Sequence, residues 1–170
     1  MRVHLVRHGR AEKRSRWDGP DELRPLTGEG LRHAERIGQK LARGRPDRLL
    51  ASPFLRCRQT LEPLARRVGL EVETREWLAK GEDPRKAADL MRRERGQRKV
   101  CCTHTELLGE VEHELAELGV DARTLGRAAL GAGGSESERL AVVDLGSTSF
   151  HLLVADVTRA GGLQIGRAHV

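Results

Sequence analysis

Up to Gly119 the chain alternates short apolar runs with longer stretches whose apolar residues recur every three to four positions. Strands alternating with amphipathic helices produce that pattern. Val3 to Val6 is apolar, β-prone and stopped by Arg7-His8-Gly9, which predicts a buried strand feeding a loop. Lys13 to Pro25 is polar, with Gly19, Pro20 and Pro25, and predicts a loop. Thr27 then suits an N-cap, and the helix it opens presents Leu31, Ala34, Ile37, Gly38 and Leu41 on one face. A second strand, Arg48 to Ala51, ends in Ser52-Pro53, and the following helix presents Phe54, Leu61, Leu64, Ala65 and Val68 before Gly69 stops it. Glu71 to Thr74 predicts a third strand. Asp83-Pro84 reads as an N-cap followed by a first-turn proline, opening a helix with Ala87, Ala88 and Met91 inward. Lys99 to Cys102 is the fourth strand. Thr105 to Leu118 is a helix buried through Leu108, Val111, Leu115 and Leu118, closed by Gly119.

Such alternation implies an α/β fold, a three-layer αβα sandwich around a mostly parallel sheet. Ligands of these sheets bind beyond the carboxyl ends of the strands. His8 follows the first strand, Arg56 the second, Glu76 the third and His104 the fourth. Their convergence on one edge is the main functional signal in the pattern.

After Gly119 the character changes. Residues 126–138 are rich in Gly, Ala and Ser and read as a linker between a domain over 1–125 and a β-meander over 139–170. Leu140 to Leu145 and Phe150 to Val157 form a hairpin about Gly146-Ser147-Thr148, and Leu163 to Ile165 follows the Gly161-Gly162 turn.

Composition narrows the function classes. The 170 residues fit one domain of ordinary size, and with aromatics at 2% and no Tyr the core must be aliphatic. Against 25 acidic residues stand 31 basic ones, a net charge of +6 that suits anionic substrates. The basic residues are scattered and lack an aromatic platform, so a solvated surface explains them better than nucleic-acid recognition. Cys57, Cys101 and Cys102 have no metal-ligand spacing and read as reduced residues in or near the core. With early charge after Met1 and no long apolar run, the expectation is a soluble cytoplasmic protein with no membrane partner.

A phosphoryl group in transfer needs positive charge and oriented donors. Arg7 and Arg56 each offer a planar fork, a neutral His8 can attack phosphorus, a protonated His104 adds donors, and Gly9 lets the backbone approach. Glu76 is the candidate acid for the leaving oxygen, with Glu82 and Asp83 as alternatives. Singly, each of these residues reads as structural or as surface charge.

Arg7-His8-Gly9, Leu26-Thr27-x-x-Gly30, Ser52-Pro53-x-x-Arg56-x-x-Gln59-Thr60 and His104 together resemble the histidine phosphatase (phosphoglycerate mutase-like) superfamily from Met1 to about Leu118. The short connections look most like the compact SixA-type phosphohistidine phosphatases. The resemblance implies His8 as nucleophile, Arg7, Arg56 and His104 as the phosphate pocket, and neither metal nor cofactor. Its implied partner is a phosphorylated small molecule or a phosphohistidine protein, and it leaves the oligomeric state open. Thr103 stands where the family usually has Gly, so its side chain is expected to crowd the pocket or add a hydroxyl donor.

Residues Leu140 to Asp156 are similar to the opening hairpin of the exopolyphosphatase/guanosine pentaphosphate phosphatase family, with Thr148 where that family usually has Asn. Too little chain follows for such an actin-like domain, so no chemistry is expected of Asp144 or Ser147. Two explanations compete: the hairpin begins a truncated second domain, or its first strand completes the first domain's sheet at an edge. The expected activity is metal-independent phosphatase action through phospho-His8. The alternatives are phosphate transfer between positions of a sugar or glycerate, a non-catalytic phosphate-binding or adaptor domain, DNA binding through the Arg-rich helices, and the front of a two-domain polyphosphate or guanosine pentaphosphate phosphatase.

Overall fold

The computed structural model describes residues 1–125 with their side chains and, beyond them, the backbone of 139–146, 149–157 and 163–168. The chain divides into two compact units, Met1–Leu125 and Gly126–Val170. In the first unit, strand β1 (Arg2–Arg7) leads through a loop with two 3-10 turns, Arg14–Arg16 and Asp21–Leu23, into helix α1 (Gly28–Ala42). Strand β2 (Arg48–Ala51), helix α2 (Leu55–Val68) and strand β3 (Val72–Thr74) follow, then a 3-10 turn at Glu76–Leu78 and helix α3 (Pro84–Arg93). Strand β4 (Arg98–Thr103), helix α4 (Thr105–Glu117) and strand β5 (Asp121–Leu125) complete it.

The five strands lie in the order β3-β2-β4-β1-β5, all parallel. One face packs Val3, Leu5, Leu50 and Cys101 against residues of α3 and α4 such as Met91, Val111 and Leu115. Strand alternation turns the buried Val6, Leu49, Val100 and Cys102 to the opposite face, where α2 lies against β2, β3 and β4 and α1 packs on α2. The three-layer sandwich of the sequence reading is therefore present, with aliphatic residues filling its core. The three cysteines are buried and unpaired.

Local signals explain the element ends. The Thr27 hydroxyl accepts from the Gly30 amide at the start of α1, and the Asp83 carboxylate accepts from the Arg85 amide at the start of α3, where Pro84 needs no partner. Gly69 ends α2 in the left-handed conformation at φ 70° that glycine adopts without strain.

Two face assignments are corrected. Leu31 is 45% exposed, because Gly30 rather than Leu31 begins the inward stripe of α1. Leu118 is 44% exposed, because the chain turns there and Val120 takes the buried place after it. A larger correction concerns the sheet edge. The open side of β1 is taken by β5, an element absent from the sequence reading. β5 is short, half-exposed and carries Asp121 and Arg123, a charged edge that shows no apolar run.

In the second unit, β6 (Arg139–Gly146), β7 (Ser149–Val157) and β8 (Leu163–Ala168) form a three-stranded antiparallel sheet. The expected linker over 126–138, the turn at Ser147-Thr148 and the Gly161-Gly162 turn lie outside the described residues. Among the described residues no helix is long and apolar enough to cross a membrane.

Candidate active site

Strands β1 and β4 are neighbours in the sheet, and Arg7 is in register with Thr103. The residue after each is a histidine, so parallel pairing alone delivers His8 and His104 to the same edge. Their rings meet edge to face with centroids 5.3 Å apart. β2 pairs with the other side of β4, and the Ser52 amide continues that ladder by donating to the Cys102 carbonyl. Ser52 Oγ consequently lies 3.0 Å from His104 Nε2, fully buried.

Helix α2 then supplies the rest of the constellation from one motif. Arg56 Nε donates to His8 Nε2 at 3.3 Å, Gln59 Oε1 accepts from the Leu26 amide at 2.8 Å, and Thr60 Oγ1 accepts from the Gly9 amide at 2.9 Å. The Thr60 hydroxyl itself donates to the Arg56 carbonyl. Ser52, Arg56, Gln59 and Thr60 thus tie the loops after β1 and β2 into one unit. The glycines of the other motifs permit the close approach. A Cβ on Gly9 would sit 2.9 Å from the Gly30 carbonyl oxygen, and one on Gly30 would sit 2.1 Å from that of Arg10.

The His8 ring is held in one tautomer and kept neutral. Its Nδ1 lies 2.8 Å from the Gly9 carbonyl, which can only accept, so the proton is on Nδ1 and Nε2 carries the lone pair. Burial, followed by the neighbouring Arg56, His104 and Arg7, lowers its pKa to about 4 despite the opposing Gly9 bond. The ring is neutral throughout the physiological range. His104 is 1% exposed, stacked edge-on against Phe54 and 3.8 Å from Cys57 Sγ. Arg7 is exposed at the end of β1, and its side chain makes no hydrogen bond or ion pair to the described residues.

Thr103 neither crowds the pocket nor adds a donor to it. Its hydroxyl donates to the Leu78 carbonyl at 2.7 Å and so anchors the 3-10 turn that follows β3. At the head of that turn Glu76 is exposed and unpartnered among the described residues, with no hydrogen bond to His8, Arg56 or His104. Glu82 is half-buried, and Asp83 is occupied in capping α3.

Two acidic residues at this edge escaped the sequence reading. Asp21, from the second 3-10 turn of the loop, is ion-paired with Arg56. Its only sequence signal is its place three residues before Arg24-Pro25-Leu26-Thr27. Glu106, in the first turn of α4, is held below the ordinary carboxylate range by its own backbone amide, then by Lys80. Its signal is its position two residues after His104.

Residues 3–80 match the profile of the histidine phosphatase superfamily (branch 1). Over 63 residues the chain is 44% identical to an 8-oxo-(d)GTP phosphatase from Mycolicibacterium smegmatis, a match covering 37% of this chain and 20% of that protein. Among solved structures, the SixA protein of Agrobacterium tumefaciens superposes with a TM-score of 0.58 at 24% identity, covering 91% of this chain and 90% of that one. A protein histidine phosphatase SixA complexed with tungstate gives 0.56 at 21% identity, covering 96% and 93%. These superpositions establish the fold.

Proposed function

We propose that this chain, whose residues 3–80 match the profile of the histidine phosphatase superfamily (branch 1), is a phosphatase that works through phospho-His8. The observation carrying this reading is the state of His8. It is a neutral imidazole with its proton fixed on Nδ1 and its Nε2 lone pair facing Arg56. Nε2 attacks phosphorus in line and the P–O bond to the leaving group, or the P–N bond of a phosphohistidine, breaks. Water then cleaves the Nε2–P bond and releases inorganic phosphate, returning His8 to its neutral form. Arg56 and Arg7 supply the positive charge that the equatorial oxygens require, and His104 adds a donor when protonated. This chemistry asks for no metal. Glu76 is the proposed proton donor to an ester leaving group, on the strength of its place just past β3 at the strand ends.

The substrate is a phosphomonoester or a phosphohistidine. The named activity of the M. smegmatis relative adds nucleoside phosphates to those worth assaying. No nucleic-acid or membrane partner is proposed, and the place of action proposed is the cytoplasm.

The test is hydrolysis of an aryl phosphate with chelator present, comparing wild type with His8→Ala. Wild-type turnover is expected to fall at least about a thousand-fold in the variant, as removal of a nucleophile does. Quenching wild type during turnover should trap an acid-labile phosphate on His8. Turnover that survives His8→Ala would remove His8 as nucleophile. A folded wild type that binds phosphate without turnover would favour the non-catalytic phosphate-binding domain.

A further inference from the structure

We propose that Asp21 is the positioning residue that aims Arg56 at the phosphoryl group on His8. The proposal rests on the phosphatase reading for what Arg56 does, while the contact itself stands on the geometry alone.

Arg56 is 2% exposed, and a buried guanidinium is tolerated only where its donors are met. Its Nη1 donates to the Asp21 main-chain carbonyl at 2.7 Å and its Nη2 to Asp21 Oδ2 at 3.1 Å. Nε faces His8, and the Phe54 ring lies under the guanidinium carbon at 4.6 Å. The plane is thereby set by Phe54, one edge by Asp21 and the other by the nucleophile. Three of the five N–H donors are engaged, leaving two for phosphoryl oxygens.

Asp21 is in turn held. Arg24 Nε donates to Asp21 Oδ1 at 2.7 Å, and Arg24 Nη1 donates to the Glu12 carbonyl at 2.6 Å. The loop neck is closed beside it, where the Glu12 amide donates to the Pro25 carbonyl. A chain of contacts therefore runs from the loop neck through Arg24 and Asp21 to Arg56 and His8. Partial burial raises the Asp21 pKa, but Arg24 and Arg56 outweigh it, so the carboxylate stays ionised at neutral pH.

The experiment is a double-mutant cycle of Asp21→Ala with Arg56→Ala, read by aryl phosphate turnover and by calorimetric binding of inorganic phosphate. Asp21→Asn serves as the conservative variant, since it keeps the main-chain contact and one acceptor oxygen. Asp21→Ala is expected to lower kcat/KM and phosphate affinity about ten-fold, the scale of a lost charge-assisted bond. Asp21→Asn should recover part of that. In the Arg56→Ala background, loss of Asp21 should change nothing further. A full ten-fold loss retained without Arg56 overturns the proposal, because Asp21 would then act on the loop alone. Tighter phosphate binding by Asp21→Ala also overturns it, showing a carboxylate that competes for Arg56. If wild type binds phosphate but does not turn over, the phosphatase reading falls and the binding cycle still decides on Asp21. If wild type does neither, both fall.

Discussion

Two arginine clusters sit on the same domain and differ in what remains free. At one flank Arg48 binds Glu73 through two bonds of 2.6 and 2.7 Å and reaches Glu94 at 3.4 Å, while Arg75 binds Glu73 at 2.9 Å and also Glu94. Two cations face two carboxylates, and each holds its partners in the charged form. At the strand ends, Arg7 has no described partner and Arg56 keeps two donors in reserve beside a neutral His8. An anion gains little at the first cluster, where its bonds are already made. At the second, Arg7 and two donors of Arg56 remain unengaged by the described residues. Counting arginines does not separate the clusters, whereas accounting for their donors does.

The sharpest way to break this contrast is to truncate one arginine from each. Arg56→Ala should lower kcat about a hundred-fold, the scale of removing one donor that stabilises transition-state charge. Arg48→Ala should leave kcat unchanged and cost about 1–2 kcal/mol of stability, measured by denaturant unfolding. Equal losses of kcat in both would erase the distinction between a closed network and an open site.

The next effect concerns the scaffold of the open cluster. A methyl on Gly30 meets the Arg10 carbonyl oxygen at 2.1 Å, so the loop carrying Arg10 must shift. Gly30→Ala should destabilise by ~1–3 kcal/mol, as overpacking does, and reduce turnover together with stability. A Gly28→Ala control meets only the flexible end of Arg32 at 3.7 Å and should be nearly silent. Silence in both variants would show that the close approach is dispensable.

The smallest effect is a displaced pH limb. The proposed attack requires a neutral His8, whose pKa is lowered from 6.5 to about 4. The acid limb of kcat/KM should therefore fall near pH 4. A limb near 6.5 would mean that burial and the neighbouring cations do not act on His8. The sign for stability follows from the same shift. Between pH 6.5 and about 4 the unfolded chain binds the His8 proton first, so folding weakens as pH falls through that window. His8→Ala should flatten that part of the stability profile.

The element pattern was legible because capping residues and apolar periodicity act locally. Thr27, Asp83, Pro84 and Gly69 stand at helix ends as their chemistry requires. Strand β5 was not, since Asp121 to Leu125 carries no apolar run and is a strand only because β1 offers an open edge. Asp21 was equally hidden, as nothing in the loop's composition marks which of its charges meets Arg56. Thr103 shows the opposite failure: the residue was visible, but the direction of its hydroxyl, towards Leu78, depends on a turn that the sheet brings alongside.

By itself the sequence determined which residue types close the strands and which motif opens each helix, because those choices depend on neighbours a few positions away. Tertiary structure decided that His8 and His104 touch although 95 residues lie between them, since only the register of Arg7 with Thr103 sets them side by side. It also decided that His8 loses its proton early, because burial and the approach of Arg56 lower its pKa and neither exists in the unfolded chain.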